Sequence, residues 1–249
     1  MEIVQDPEFK KQIELRLAQK RNSQNEARVD GLHLTALTYC ITKAYWDVKL
    51  RPEQVEGEPQ PVAFQFDEKT LHMFAIGFGL EQVLLEEPDD KHRVEPKQWE
   101  GMWVSPDYVM TGDSGEFGEL KSTRLGFNRG EPRYPWPANW IRQMLGYALA
   151  YGQSVYHLAI FLVIPAELHT RKFIFSAEDR AQFYDWLMWR RDKLLEAFET
   201  MEKPPEPFKY NMKWECKSCP AITYCQLAES SGVFHPAGEE PPLPKEAQA

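Results

Sequence analysis

Apolar residues recur along this chain first at helical and then at strand spacing. Between residues 5 and 28, Phe9, Ile13, Leu17 and Ala18 stand at helical intervals in a charged stretch, which predicts a surface helix. His33 to Trp46, HLTALTYCITKAYW, predicts a second helix opened by Thr35. Residues 51–63 are Pro-rich and polar and read as a loop. Residues 67–87 predict a third helix, with Asp67 as its cap and Leu71, Phe74, Phe78 and Leu85 along one side.

The period then changes. GMWVSPDYVM and GEFGELKST are short β-type runs around the turn signal TGDS, a hairpin pattern. A loop rich in Pro, Arg and aromatics follows, RLGFNRGEPRYPWPA. Residues 138–152 predict a helix. SVYHLAIFLVIP reads as a buried strand by its length and continuous apolarity, and RKFIF as another. EDRAQFYDWLMWRRDKLLEAFETMEK is a long amphipathic helix, with Trp186 and Trp189 expected in the core and Arg190, Arg191 and Lys193 on a solvated face. Residues 235–249, HPAGEEPPLPKEAQA, read as a disordered tail. Helices, hairpin, helix, strands and helix in that order predict one α/β domain over residues 1–234, with a small central sheet.

Composition narrows the function classes. The chain has 249 residues, 43% apolar and 27% charged, and lacks the long apolar run that a membrane-spanning helix needs. Its first residues, MEIVQDPEFKKQ, contain no apolar stretch of the secretory type, so a cytoplasmic protein is expected. A net charge of −9 argues against coating nucleic acid through global charge, and leaves a local basic groove open.

The hairpin carries the first candidate chemistry. Alternate residues of a strand share a face, so Glu119 and Lys121 point the same way, with Asp107 on the preceding strand able to meet them. Two acids brought close repel, and burial makes that worse. The arrangement suits either an exposed cross-strand ion pair or a pair of carboxylates around Mg²⁺, which prefers oxygen ligands and substrate phosphate.

Asp107 in SPDYV, then GELKST, then QMLGY resembles the PD-(D/E)xK nuclease superfamily. Gln143 and Tyr147, four residues apart on one helix face, are similar to the Q-x-x-x-Y motif of its RecB-like exonuclease branch. The resemblance implies a restriction-endonuclease-like core: a small mixed central sheet flanked by helices. It implies Asp107, Glu119, Lys121, Gln143 and Tyr147 as catalytic residues. Mg²⁺ or Mn²⁺ would be held by Asp107, Glu119 and the Leu120 carbonyl. Glu81, four residues after Gly77, stands where the family often has His.

Cysteines make a second constellation. Cys216, Cys219 and Cys225 crowd into ten residues, CKSCPAITYC, and Cys40 stands alone far upstream. Four soft ligands suit zinc or an iron–sulfur cluster by chemistry alone. One Cys before the nuclease motifs and three after them resembles the RecB-like nucleases that carry a [4Fe-4S] cluster, among them the CRISPR-associated exonuclease and AddB-type families. Ile41 and Thr42 follow Cys40 where the CRISPR-associated family commonly has Pro-Arg. The resemblance implies a cluster that joins the N-terminal helices to residues 216–225.

The loop between E-x-K and Q-x-x-x-Y offers a place for the substrate. Arg124, Arg129, Arg133 and Arg142 alternate there with aromatics that include Trp136 and Trp140. Arginine with aromatics suits single-stranded DNA, through phosphate contacts and base stacking, and equally suits a Pro-rich loop pinned to a core. Together these features predict a metal-dependent exonuclease on single-stranded DNA, working beside CRISPR-adaptation or recombination and repair proteins. The alternative is a non-catalytic, cluster-stabilised DNA-binding or assembly subunit.

Overall fold

The computed structural model describes residues 31–51, 75–77, 79, 94–109, 115–123, 127–128, 131–132, 137–163, 167–200, 216, 219–233, 240–244 and 247. The helix expected over 5–28 lies outside them. Of the helix expected over 67–87, residues 75–77 and 79 are described, and they are helical.

The helix expected from His33 to Trp46 is two helices, α1 (Leu34–Thr38) and α2 (Ile41–Lys49). Tyr39 and Cys40 between them are extended, and Cys40 is the N-cap of α2. Periodicity runs through this joint because apolar residues on both sides face the same core. The break is stabilised from elsewhere: Arg190 donates its Nε–H to the Leu37 carbonyl at 2.7 Å and an Nη2–H to the Tyr39 carbonyl. Those are carbonyls that an unbroken helix would satisfy itself.

Strands β1 (Lys97–Trp99) and β2 (Met102–Val104) form a small antiparallel pair. Pro106 follows, and a new strand begins at β3 (Tyr108–Val109), so the expected run 101–110 is split. β3 pairs antiparallel with β4 (Phe117–Thr123), the hairpin expected from the sequence. The Arg- and Pro-rich loop holds a two-residue hairpin, β5 (Phe127–Asn128) with β6 (Glu131–Pro132).

Helix α3 (Ala138–Ala150) leads into β7 (Val155–Leu162), which is parallel to β4; β8 (Glu167–Ile174) returns antiparallel to β7. The principal sheet has the order β3-β4-β7-β8. A parallel neighbour needs a crossover, and α3 supplies it. β7 is half-buried: Tyr156, Leu158, Ile160 and Leu162 face the core and alternate with partly exposed residues. Its apolar outer residues, Val155, Ala159 and Phe161, make the sequence look like a strand covered on both sides.

Helix α4 (Ala177–Thr200) packs on α1, α2 and α3, and α5 (Ile222–Ser231) follows the clustered cysteines. Leu34, Leu37, Ile41, Met144, Leu158 and Trp186 are among the fully buried side chains between these helices and the sheet. Contrary to expectation, Arg190 of α4 is in the core, 2% exposed, and stacks on Trp186 at 4.5 Å. Of the segment expected as a disordered tail, residues 240–244 and 247 are described, and they pack there. Leu243 and Ala247 are buried, and Glu240 pairs with Arg190 at 2.9 Å. Low hydrophobicity and prolines predict disorder, but two buried guanidiniums need the acceptors that this segment carries. Among the described residues no helix is long and apolar enough to cross a membrane. A small mixed sheet flanked by helices is compatible with a restriction-endonuclease-like core.

Candidate active site

The antiparallel register sets Tyr108 opposite Gly118. Continued by one residue, it brings Asp107 across from Glu119. Two local features allow this close approach. A Cβ on residue 118 would stand 2.0 Å from Tyr108 Cζ, so only glycine lets that ring cross β4. The Leu120 N–H donates to Asp107 Oδ2 at 2.7 Å, fixing the carboxylate against the strand.

Glu119 and Lys121 share the face of β4 that looks toward α3, as the period of two requires. Glu119 is 1% exposed. Its Oε1 accepts from Lys121 Nζ and from Gln143 Nε2, the latter at 2.7 Å. Lys121 Nζ also donates to Gln143 Oε1 at 3.1 Å, and Gln143 Nε2 donates to the Tyr147 hydroxyl at 3.1 Å. Gln143 therefore grips both ends of the Glu119–Lys121 pair, and Tyr147, one turn on, orients Gln143.

Charge is concentrated here with little water to screen it. Burial first, and then the Asp107 carboxylate, push Glu119 up to about 8, against the pull of Lys121. Burial also raises Asp107, while Lys121 and the Leu120 N–H lower it. Burial opposes the Lys121 charge, but the two carboxylates outweigh it and hold its pKa above the usual lysine value. Glu119 Oε2 is buried and receives no donor from the described residues, and Asp107 lies close enough to share a proton with Glu119. Such a place is filled by a proton or by a cation. Among the described residues, no three His, Cys, Asp or Glu side chains converge as a ready-made ion cage.

Asp107, Glu119, Lys121, Gln143 and Tyr147 thus meet in one place, although α3 and the hairpin are separate in sequence. Glu81, Arg124, Arg129, Arg133 and Trp136 lie outside the described residues. Arg142 is not where a DNA contact requires it. It is 4% exposed, donates its Nε–H to the Ala247 carbonyl at 3.0 Å, and lies over the Trp186 ring. Trp140 packs against the core. Glu116 accepts from His157 Nε2 at 2.7 Å. Two neighbours escaped the sequence reading: Asn139, one turn before Gln143, and Tyr39, whose hydroxyl accepts from Asn139 Nδ2 at 2.8 Å. The four-residue step from Asn139 to Gln143 was the available signal.

The cysteines are all free thiols. Cys40 is buried at the start of α2, and Cys225 lies in α5. Burial, with the charges of Cys40, Cys219 and Cys216, pushes Cys225 up to about 12, and the Trp46 indole opposes this. Cys40, 176 positions before Cys216, therefore lies within electrostatic reach of the C-terminal three, although among the described residues no three cysteines converge as a metal site.

No protein-family model matches this chain, and no curated protein matches it in sequence. Solved structures do. The protein designated SSO0001 is 17% identical, with a TM-score of 0.53, over 88% of this chain and 98% of its own. At that identity the likeness shows a common fold. An alkaline exonuclease, LHK-Exo from Laribacter hongkongensis, is 12% identical, with a TM-score of 0.41, over 70% of this chain and 93% of its own. A superposition at that level carries no argument about activity.

Proposed function

We propose that this chain is a divalent-metal-dependent nuclease that hydrolyses DNA phosphodiester bonds, acting as an exonuclease on single strands. The observation that carries this reading is the buried Asp107–Glu119 pair, with Glu119 Oε2 lacking a donor among the described residues and Lys121 clamped beside it by Gln143. Mutual repulsion and burial make that pair unfavourable unless a proton or a cation lies between its members. The donor set is all oxygen, which fits Mg²⁺ or Mn²⁺.

Asp107 and Glu119 would hold the ion, with Glu81 and the Leu120 carbonyl as further ligands. When bound, the ion supplies Lewis-acid activation of a water and of the phosphoryl group. Lys121 keeps its proton among these carboxylates, so it acts as a donor that orients the attacking water or the phosphate oxygen. Gln143 holds Lys121 in place, and Tyr147 holds Gln143. Cys40, Cys216, Cys219 and Cys225 would hold a structural [4Fe-4S] cluster; four thiols without a disulfide are the donor set for it. The loop with Arg124, Arg129, Arg133 and Trp136 would carry the strand, and the pathway would be CRISPR adaptation or recombination and repair.

Labelled single-stranded DNA incubated with Mn²⁺ tests the reading. Wild type should shorten it, and Lys121→Ala should lose the activity by about 100-fold or more, as loss of a charge-stabilising donor does. Equal inertness of the two ends the nuclease reading. The same protein, purified without air, should be brown and contain iron and acid-labile sulfide. A colourless chain with zinc would remove the cluster and leave the nuclease untouched.

A further inference from the structure

Near Lys121 stands a polar pair that joins α3 to the α1–α2 joint. Asn139 precedes Gln143 by one turn of α3, about 5.4 Å along the axis, so the two amides share a helix face. Asn139 is 3% exposed, and its Oδ1 has no hydrogen-bond partner among the described residues. Its Nδ2 donates to the Tyr39 hydroxyl at 2.8 Å. A buried amide with one unsatisfied acceptor is costly, so a purely structural reason would have to be strong.

Tyr39 is half-buried, in the extended joint between α1 and α2, and lies within electrostatic reach of Lys121. Arg190 fixes the joint from behind through the Leu37 and Tyr39 carbonyls. Because the phenol oxygen accepts from Asn139, its own O–H must point elsewhere. Among the described residues no acceptor takes that proton.

We propose that Tyr39 is a substrate-contacting residue of the nuclease site, its O–H donating to a non-bridging oxygen of the phosphodiester that Lys121 faces, with Asn139 as its positioning residue. This rests on the nuclease reading. An ammonium is a flexible point charge, whereas a phenol held by an amide has direction. Paired, they fix one oxygen of a phosphate against the two carboxylates. The phenol reaches the site from the residue next to Cys40, which makes the joint part of the active centre.

Tyr39→Phe keeps the ring and the backbone carbonyl and removes the hydroxyl, both the donor and the acceptor of the Asn139 amide. Wild type, Tyr39→Phe, Asn139→Ala and Lys121→Ala are compared on labelled single strands with Mn²⁺, together with thermal melts. Tyr39→Phe should melt a few degrees below wild type, as loss of the Asn139 acceptor requires, and lose about 10- to 100-fold in kcat at a temperature well below either melt, with KM within about twofold, because the donor matters most as charge builds on the phosphoryl group. Asn139→Ala should lose kcat in the same direction. If Tyr39→Phe cleaves like wild type while Lys121→Ala does not, the inference falls and the nuclease reading stands. A Tyr39→Phe rate that falls only in step with a lowered Tm makes the residue structural and overturns the inference. If wild type and Lys121→Ala are equally inert, the nuclease reading falls and takes this inference with it.

Discussion

Glu119 is the residue under greatest electrostatic stress. Its neutral form is favoured in the folded chain, with a pKa near 8 against an ordinary 4.5. For an acid shifted upward, the stabilising contribution is complete below about 4.5 and is lost as pH rises through 8. Asp107 is shifted the same way, and Lys121 stays protonated over that window, so neither reverses the sign. With a chelator present, Tm should therefore fall between pH 5 and 8, and Glu119→Gln should flatten the fall. Mg²⁺ or Mn²⁺ should restore the loss at pH 8, since the cation takes the place of the proton. A pH-independent Tm in chelator would contradict this account. Of the residues involved, Glu119 and Lys121 were legible from spacing alone, because a strand alternates. Asp107 needed the hairpin register, and Tyr39 was not legible, because its partner lies 100 positions away.

Among the elements, α3 does most to assemble the site. One face of it carries Asn139, Gln143 and Tyr147, and the rest is buried nearly all round. It packs against α1 at Gly146, where an added Cβ would lie 2.8 Å from both methyl carbons of Leu34, itself fully buried. Gly146→Ala should therefore destabilise the fold by about 1–3 kcal/mol, as overpacking does, despite alanine's better helix propensity. Chemical denaturation measures this, and a more stable variant would show that propensity wins. The helix over 138–152 and the hairpin were readable as elements because period and turn chemistry are local. The break at Tyr39–Cys40 was not, since Arg190 on another helix stabilises it.

At the scale of the molecule, two buried arginines tie the α1–α2 joint and α3 to the described C-terminal residues. Arg190 reaches α1, the Cys40 joint and Glu240, and Arg142 reaches Ala247, with Trp186 in contact with both. Removing one partner of a buried ion pair leaves the other charge uncompensated, which costs about 3–5 kcal/mol. Glu240→Ala, or truncation after residue 239, should lower Tm by many degrees; a melting curve that matches wild type would return residues 240–249 to the status of a loose tail. The same joint supports the cysteine neighbourhood and the Tyr39 ring, so loss of the C-terminal segment should also weaken activity.

By itself, the sequence determined what short-range rules determine: strand alternation that puts Glu119 beside Lys121, the helical step from Gln143 to Tyr147, the hairpin turn, and four thiols with no disulfide context. Tertiary structure alone decided which charges are buried. Arg142 and Arg190 look like surface or DNA-facing cations in sequence, yet both lie in the core, because distant carbonyls and Glu240 supply the acceptors that make their burial tolerable. Desolvation is set by what packs on a residue from elsewhere in the chain. That is why the unfavourable Glu119 carboxylate, the Tyr39–Asn139 pair and the anchored C-terminal segment emerge only when the chain is folded.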